Sequence, residues 1–304
     1  MTPSTREASK LTKDEWREYT KTVWHIANVT HPSHPAVFPP EIPRRLIKLF
    51  SFVGETVLDP FAGVGTTAKA AVALDRRAIS IEQNPDYADL VRRDVAASDR
   101  SQVHVADSRR MDFIADESID LIVTSPPYWN KADYGPGKAN LGNIGSYPGF
   151  FEEMRPVFDE CFRVLRPGRK LGVVTANVNQ HTDHGLLTFP LATDFTVLLR
   201  EIGFLLINEL VWSKDRTGGR WGSAGIQRPI FGSYPYPPNF LFKNVHEYIL
   251  VFAKPPHKVT TGPKVVSYRE LMTKTEAVGA GPVGHDNGNG RRRRKQGGNG
   301  VFER

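Results

Sequence analysis

From Thr56 onward, apolar runs of strand length alternate with segments of helical character. That alternation limits the fold more than any single motif does. Thr56–Asp59, Ala78–Ile81, Val103–Ala106, Ile119–Thr124, Lys170–Thr175, Leu205–Trp212 and Glu247–Phe252 read as seven strands. Helices are expected over Thr66–Leu74, about 85–97, about 149–165 and near Leu191–Ile202, with Arg166-Pro167-Gly168 as a stop signal for the third. No internal repeat is visible. The pattern predicts an α/β fold, a doubly wound, seven-stranded and mostly parallel sheet. Its ligand belongs at the carboxyl ends of the strands.

A chain of 304 residues with 39% hydrophobic and 24% charged residues can bury a sizeable core. No window approaches the roughly 18 consecutive apolar residues of a membrane span, and the polar start MTPSTREASKLTKDEW lacks the apolar centre of a secretory signal. The single cysteine, Cys161, excludes an intrachain disulfide framework and a cysteine-based zinc site. A soluble cytoplasmic protein is the expectation. The net charge of +7 is unevenly spread, because Arg291–Lys295 stands in Gly- and Asn-rich sequence that cannot pack a core. Such a tail is either simply solvated or an electrostatic arm for a polyanion. Three further divisions are expected: an N-terminal helical extension over 1–30, a main domain over 31–254, and the basic tail over 255–304. Within the main domain, 214–244 reads as an insertion rich in Gly, Pro, Tyr and Arg.

The first strand leads into Asp59-Pro-Phe-Ala-Gly63-Val-Gly65-Thr66-Thr67. Gly63 and Gly65 allow a tight turn and close approach of a ligand to the backbone. Thr66 or Thr67 can cap the following helix, whose first amides would face the site. Ala68 leaves the GxGxxG fingerprint incomplete, and no Gly-Lys-Ser/Thr follows for a P-loop. Asp59, Glu82 and Asp107 end three successive strands. A carboxylate at the second of these ends can accept both hydroxyls of a ribose, and one at the third can accept from an adenine amino group. Together they point to one nucleoside-bearing cofactor.

Thr124-Ser125-Pro126-Pro127-Tyr128-Trp129 ends the fourth strand at the same edge. The two prolines stiffen the turn and remove two N–H donors, so carbonyl acceptors can point into a pocket. Ser125 and the Pro126 carbonyl can both accept hydrogens from one exocyclic NH₂. Such bonds favour a pyramidal nitrogen and localise its lone pair. Tyr128 offers a face on which a base removed from its stack can rest.

Phe61-Ala62-Gly63-Val64-Gly65 followed by Thr124-Ser125-Pro126-Pro127-Tyr128 resembles the S-adenosylmethionine-dependent DNA amino-methyltransferases, which methylate cytosine N4 or adenine N6. The resemblance runs over about residues 31–254. His34–Ile47 is similar to the family segment that helps hold the methionine moiety, and His246–Lys254 to its last strand. It implies a Rossmann-like class I methyltransferase fold with S-adenosylmethionine as cofactor. The implied cofactor-binding residues are Phe38, Asp59, Phe61, Ala62, Gly63, Gly65, Thr66, Thr67, Glu82, Asp107 and Ser108. Phe61, Gly63 and Gly65 would lie around the methionine part, Glu82 at the ribose and Asp107 at the adenine. Ser125, Pro126, Pro127 and Tyr128 are the implied catalytic residues. The glycine turn precedes the tetrad here, whereas many relatives have the reverse, permuted order. Serine at the first tetrad position is usual in the family for cytosine N4, with adenine N6 the alternative. An RNA or protein-amide methyltransferase and a non-catalytic nucleic-acid-binding module are more distant readings.

Family members commonly carry a substantial target-recognition domain, and no comparable folded region follows Lys254. Recognition of double-stranded DNA is therefore assigned to Arg216, Arg220, Trp221, Arg228, Tyr234 and Tyr236, which mix cations with aromatics suited to phosphates and base edges. The loop Asn130–Ser146 would close over an extruded base, with Asp133 as a candidate proton acceptor. A cognate restriction endonuclease is the implied partner. His181 and His184 and the group His25, His31, His34 lack metal-ligand spacing, so no metal is expected. Cys161 stands on an apolar helix face with Phe158, Phe162 and Leu165, and no Pro-Cys dipeptide supports cysteine-based C5 methylation.

Overall fold

The computed structural model describes residues 2–32, 37–96, 98–129, 140–214 and 244–256. Two short helices, α1 (Pro3–Ala8) and α2 (Lys13–Tyr19), lead into β1 (Val23–His25). α2 is started by a capping box, in which the Thr12 side chain takes the Glu15 amide and the Glu15 carboxylate takes the Thr12 amide. The chain continues through α3 (Glu41–Phe50), β2 (Thr56–Asp59), α4 (Thr66–Ala73), β3 (Arg77–Glu82), α5 (Pro85–Asp94), β4 (Ser101–Val105) and β5 (Ile119–Thr124). Then come α6 (Tyr147–Val164), β6 (Leu165–Thr175), β7 (Val178–Thr182), β8 (Gly185–Phe189), α7 (Leu191–Ile202), β9 (Leu205–Ser213) and β10 (His246–Ala253).

The main sheet has eight strands in the order β1-β9-β10-β6-β5-β2-β3-β4. Every neighbouring pair is parallel except those made by β10, which runs antiparallel to both β6 and β9. This is a doubly wound, Rossmann-like α/β sheet. All seven expected strands are present in it, and the eighth is β1, whose three residues pair with Val211–Ser213 of β9. Three residues are too few to show a period, so the sequence hid this strand. The expected boundary after residue 30 therefore falls beyond a strand of the main sheet, and the extension is not purely helical. β6 also starts earlier than expected, at Leu165, running straight on from α6 with Gly168 left-handed at φ 80°. β7 and β8 form a separate two-stranded hairpin.

Side chains alternate across the sheet as period two requires. Leu171 and Val173 of β6, with Leu250 and Phe252 of β10, pack on the α6 and α7 side against Phe150, Phe158 and Phe195. Val174, Ile249 and Val251 face the other way, toward Ile42, Leu46 and Ile47 of α3 and toward Trp24 and Trp212. Burying each such Leu, Ile or Phe contributes about 1.5–3 kcal/mol. Cys161 lies in the first of these layers, fully buried. Gly172 makes room for α3: a Cβ there would stand 3.0 Å from Leu46 Cδ1.

The strand order reverses at β2, between β3 and β5, which opens a crevice at the carboxyl edge. Because β10 is antiparallel, its first residues reach that same edge: Tyr248 pairs with Thr175 and His246 with Ser213.

Candidate active site

The turn after β2 passes through two left-handed glycines, Gly63 at φ 50° and Gly65 at φ 80°. Gly65 also caps α4, and a Cβ there would stand 2.8 Å from Val91 Cγ1 of α5. Glycine alone meets both demands. The Gly63 amide donates to Glu82 Oε2 at 2.8 Å and the Asn84 amide to Oε1 at 2.9 Å. Glu82 is thus fixed at the end of β3, with a lone pair on each oxygen left over. Burial leaves its carboxyl above the usual carboxylate range, against the opposing pull of the two amides.

Asp59 lies behind the wall, 2% exposed. Its Oδ1 accepts from the Phe61 amide at 3.0 Å and from the Thr124 hydroxyl at 2.7 Å. It ties the glycine turn to the end of β5. Its Oδ2 is buried without a hydrogen-bond partner, and burial raises the carboxyl to about 6 against these hydrogen bonds. Asp107, at the end of the next strand, is held by Arg109, whose Nε and Nη2 and backbone amide all donate to it. Burial pushes this carboxyl up, but the Arg109 contacts leave it below the usual carboxylate range. Ser108 donates to the Pro60 carbonyl at 2.5 Å.

β5 delivers the tetrad. Thr124 and Pro126 are buried, while Ser125, Pro127 and Tyr128 are partly exposed. The Ser125 hydroxyl donates to Tyr128 Oη at 3.4 Å, and Tyr128 Oη donates to Glu247 Oε2 at 2.9 Å. Lys214 pairs with Glu247 Oε1 and lies over the Trp212 ring, 4.4 Å from its centroid. The next residue, Trp129, is left-handed at φ 50°, a conformation that costs a bulky residue about 1–3 kcal/mol. Its indole is buried against Tyr147 and Phe189, at 5.1 and 4.8 Å between centroids, and donates to the Ile144 carbonyl at 2.8 Å. That packing holds the sharp turn which aims Tyr128.

One cleft of about 680 Å³ runs along these strand ends, within the usual range for small-molecule sites. Phe38, Phe61, Ala62, Gly63, Thr66, Glu82, Asp107 and Ser108 lie on its wall together with Ser125, Pro126, Pro127 and Tyr128. Asp59, Gly65 and Thr67 do not reach it; Thr67 donates to the Val123 carbonyl at 3.3 Å. Sequence reasoning did not single out Asn28–His31, Gln83, Tyr87, Asn177, His246 and Glu247, whereas Asn140 falls in the loop expected to close over the base and Asn244 ends the expected insertion. Gln83 and Tyr87 follow Glu82 closely and were findable by adjacency, whereas Glu247 needed the direction of β10. Arg216, Arg220, Trp221, Arg228, Tyr234 and Tyr236 lie outside the described residues, as do Asp133 and the basic tail. The two ends of that insertion, Lys214 and Asn244, are described, and both line the cleft. Among the described residues no group of three or more His, Cys, Asp or Glu is placed to hold a metal ion, and no helix is long and apolar enough to cross a membrane.

Curated relatives match stretches of the chain. The Type II methyltransferase M.MjaI of Methanocaldococcus jannaschii is 50% identical over 82 residues, 25% of this chain and 27% of the relative. The Type II methyltransferase M.BglI of Bacillus subtilis is 43% identical over 91 residues, 29% of this chain and 26% of the relative. The matched stretches thus span about a quarter of each relative's length. Among solved structures, a DNA modification methylase of Thermus thermophilus in complex with S-adenosyl-L-methionine, described there as putative, is 32% identical, covering 52% of this chain and 56% of that one, with a TM-score of 0.38. The N6/N4 DNA methylase family model matches residues 2–93 and 119–293, a span that holds the glycine turn, Glu82, the tetrad and Glu247 and omits Asp107 and Ser108. A match over most of the chain, through the residues that build the cleft, makes this protein a member of the N6/N4 DNA methylase family.

Proposed function

We propose that the chain is an S-adenosylmethionine-dependent DNA methyltransferase acting on the exocyclic N4 of a cytosine extruded from the duplex. One observation carries this reading: the glycine turn with Glu82 and the Ser125–Tyr128 tetrad share a single cleft. The residues fit the cofactor. Glu82 keeps lone pairs for two ribose hydroxyls, and Gly63 presents backbone with no Cβ. Phe61, Ile81 and Ala106 supply apolar wall for an adenosyl group. Arg109 already engages the Asp107 carboxylate, so an adenine amino group there would share it.

S-adenosylmethionine supplies a methyl group on a sulfonium, so the leaving group needs no further activation. The protein's part is alignment. Ser125 Oγ and the Pro126 carbonyl accept hydrogen bonds from the two N4–H groups and turn the nitrogen lone pair outward; once methylated, the nitrogen releases one proton to solvent. Tyr128 stacks on the extruded base, a contact worth roughly 1–3 kcal/mol. The residues assigned to double-stranded DNA are Arg216, Arg220, Trp221, Arg228, Tyr234 and Tyr236, in the insertion whose two ends reach the cleft. A modification enzyme of this kind works in the cytoplasm, with a restriction endonuclease of the same site as its counterpart.

The test is to incubate the protein with labelled S-adenosylmethionine and mixed-sequence duplex, then digest to nucleosides for mass spectrometry. N4-methylcytosine is the expected product. N6-methyladenine would keep the family chemistry and refute the base assignment; no methylated nucleoside on any duplex, with a folded protein, would refute the reading.

A further inference from the structure

We propose that Glu247 sets the direction in which Ser125 presents its hydroxyl, so that the catalytic serine can only accept from the target amino group. The inference rests on the methyltransferase reading above and assigns a positioning role to a residue far from the tetrad in sequence. Three side chains form a line along the wall of the cleft: Ser125 Oγ to Tyr128 Oη at 3.4 Å, then Tyr128 Oη to Glu247 Oε2 at 2.9 Å. Lys214 pairs with the other Glu247 oxygen, and the side chains of Lys214 and Glu247 are only 14% and 13% exposed.

The polarity of this line follows from proton counting. A carboxylate paired with an ammonium has lone pairs and no proton, so it only accepts. The Tyr128 hydroxyl therefore spends its one proton on Glu247, and toward Ser125 it offers only a lone pair. Ser125 in turn spends its proton on Tyr128. What remains on Ser125 Oγ is lone-pair density, and the exocyclic amino group of a base presents N–H donors. Without the fixed acceptor at the end of the line, the serine hydroxyl can turn its proton toward the cleft, where it opposes an N–H.

Glu247→Gln tests this because Lys214 dictates how the amide sits. Its oxygen faces the ammonium and its NH₂ faces Tyr128, which reverses every hydrogen bond in the line. The expected result is a loss in kcat of about 100-fold, the scale for misdirecting one aligned hydrogen bond at a reacting group. KM for DNA and the affinity for S-adenosylhomocysteine by calorimetry should stay at the wild-type level. Tyr128→Phe keeps the stacking ring and cuts the line, so in that background Glu247→Gln should cost nothing further. A Glu247→Gln enzyme with wild-type kcat overturns the proposal, and so does an equal loss in both backgrounds, which marks a merely structural role. A cofactor affinity that falls along with kcat also overturns it. If the wild-type enzyme methylates an exocyclic amine, these outcomes strike the proposal alone. If it methylates none, the underlying reading fails and the proposal with it.

Discussion

Gly65→Ala puts the construction of the cleft to a quantitative test. The substitution meets two separate obstacles. At φ 80° an alanine takes on left-handed strain of about 1–2 kcal/mol. Its Cβ would also stand 2.8 Å from Val91 Cγ1 and 3.0 Å from Cγ2, and relieving such overpacking costs about 1–3 kcal/mol. The less flexible unfolded chain returns about 0.4–1 kcal/mol. The net expectation is a loss of about 1–4.5 kcal/mol, read as a fall in the urea midpoint at constant slope. A partner substitution separates the obstacles. Val91→Ala removes the clashing methyls and leaves the strain, so Gly65→Ala should cost less in that background, with a coupling of about 1 kcal/mol or more. Cofactor affinity should follow the same order, because α5 is pushed away from the turn that presents Gly63. A Gly65→Ala protein within about 0.5 kcal/mol of wild type would refute the reasoning, and additive costs with Val91→Ala would refute the clash while sparing the strain.

The buried carboxyl of Asp59 makes stability depend on pH in an unusual direction. Its native pKa of about 6 lies above the unfolded value near 3.8, so the native state holds the proton longer. The group's contribution is fully present below about pH 4 and is lost as pH rises through 6, by at most about 3 kcal/mol. Asp59→Asn should remove that slope between pH 4 and 6 in urea titrations; an unchanged slope would place the ionisation elsewhere. Glu82→Gln should weaken S-adenosylmethionine binding about 10- to 100-fold by calorimetry, since hydrogen bonds to a charged acceptor are worth about 1.5–3 kcal/mol. Wild-type affinity would remove Glu82 from the cofactor site.

The strands were legible because the sheet's inner members are nearly continuous apolar runs, buried on both faces as in Ile119–Thr124. β1 was not legible, because three residues carry no period and its pairing with β9 is 188 residues away in sequence, Val23 with Val211. The half of the site formed by the glycine turn, Glu82 and the tetrad could be read directly, since each is a short motif at a strand end. Asp59 shows the limit of that reading. Three acids at three strand ends look equivalent in sequence, yet only the depth of the turn decides which one faces the ligand. Asp59 turned inward to hold Thr124, and Glu82 and Asp107 turned out. Glu247 could not be assigned without the topology, because nothing local marks a residue near the start of a strand as lying at the ligand edge. The left-handed backbone at Trp129 could not be foreseen for a tryptophan.

The reversed direction of β10 has a consequence for the chain beyond it. Glu247, the second residue of the strand, stands at the cleft, and Ala253 ends the strand near the opposite rim of the sheet. At about 3.4 Å per residue those two positions are separated by roughly 20 Å. A charge carried on the first residues after Ala253 would sit more than two Debye lengths, about 8 Å each at physiological salt, from any phosphate lying over the cleft. Basic residues placed just past the strand would be screened from such a phosphate, so a polyanion-binding arm attached there acts on the site only by its length.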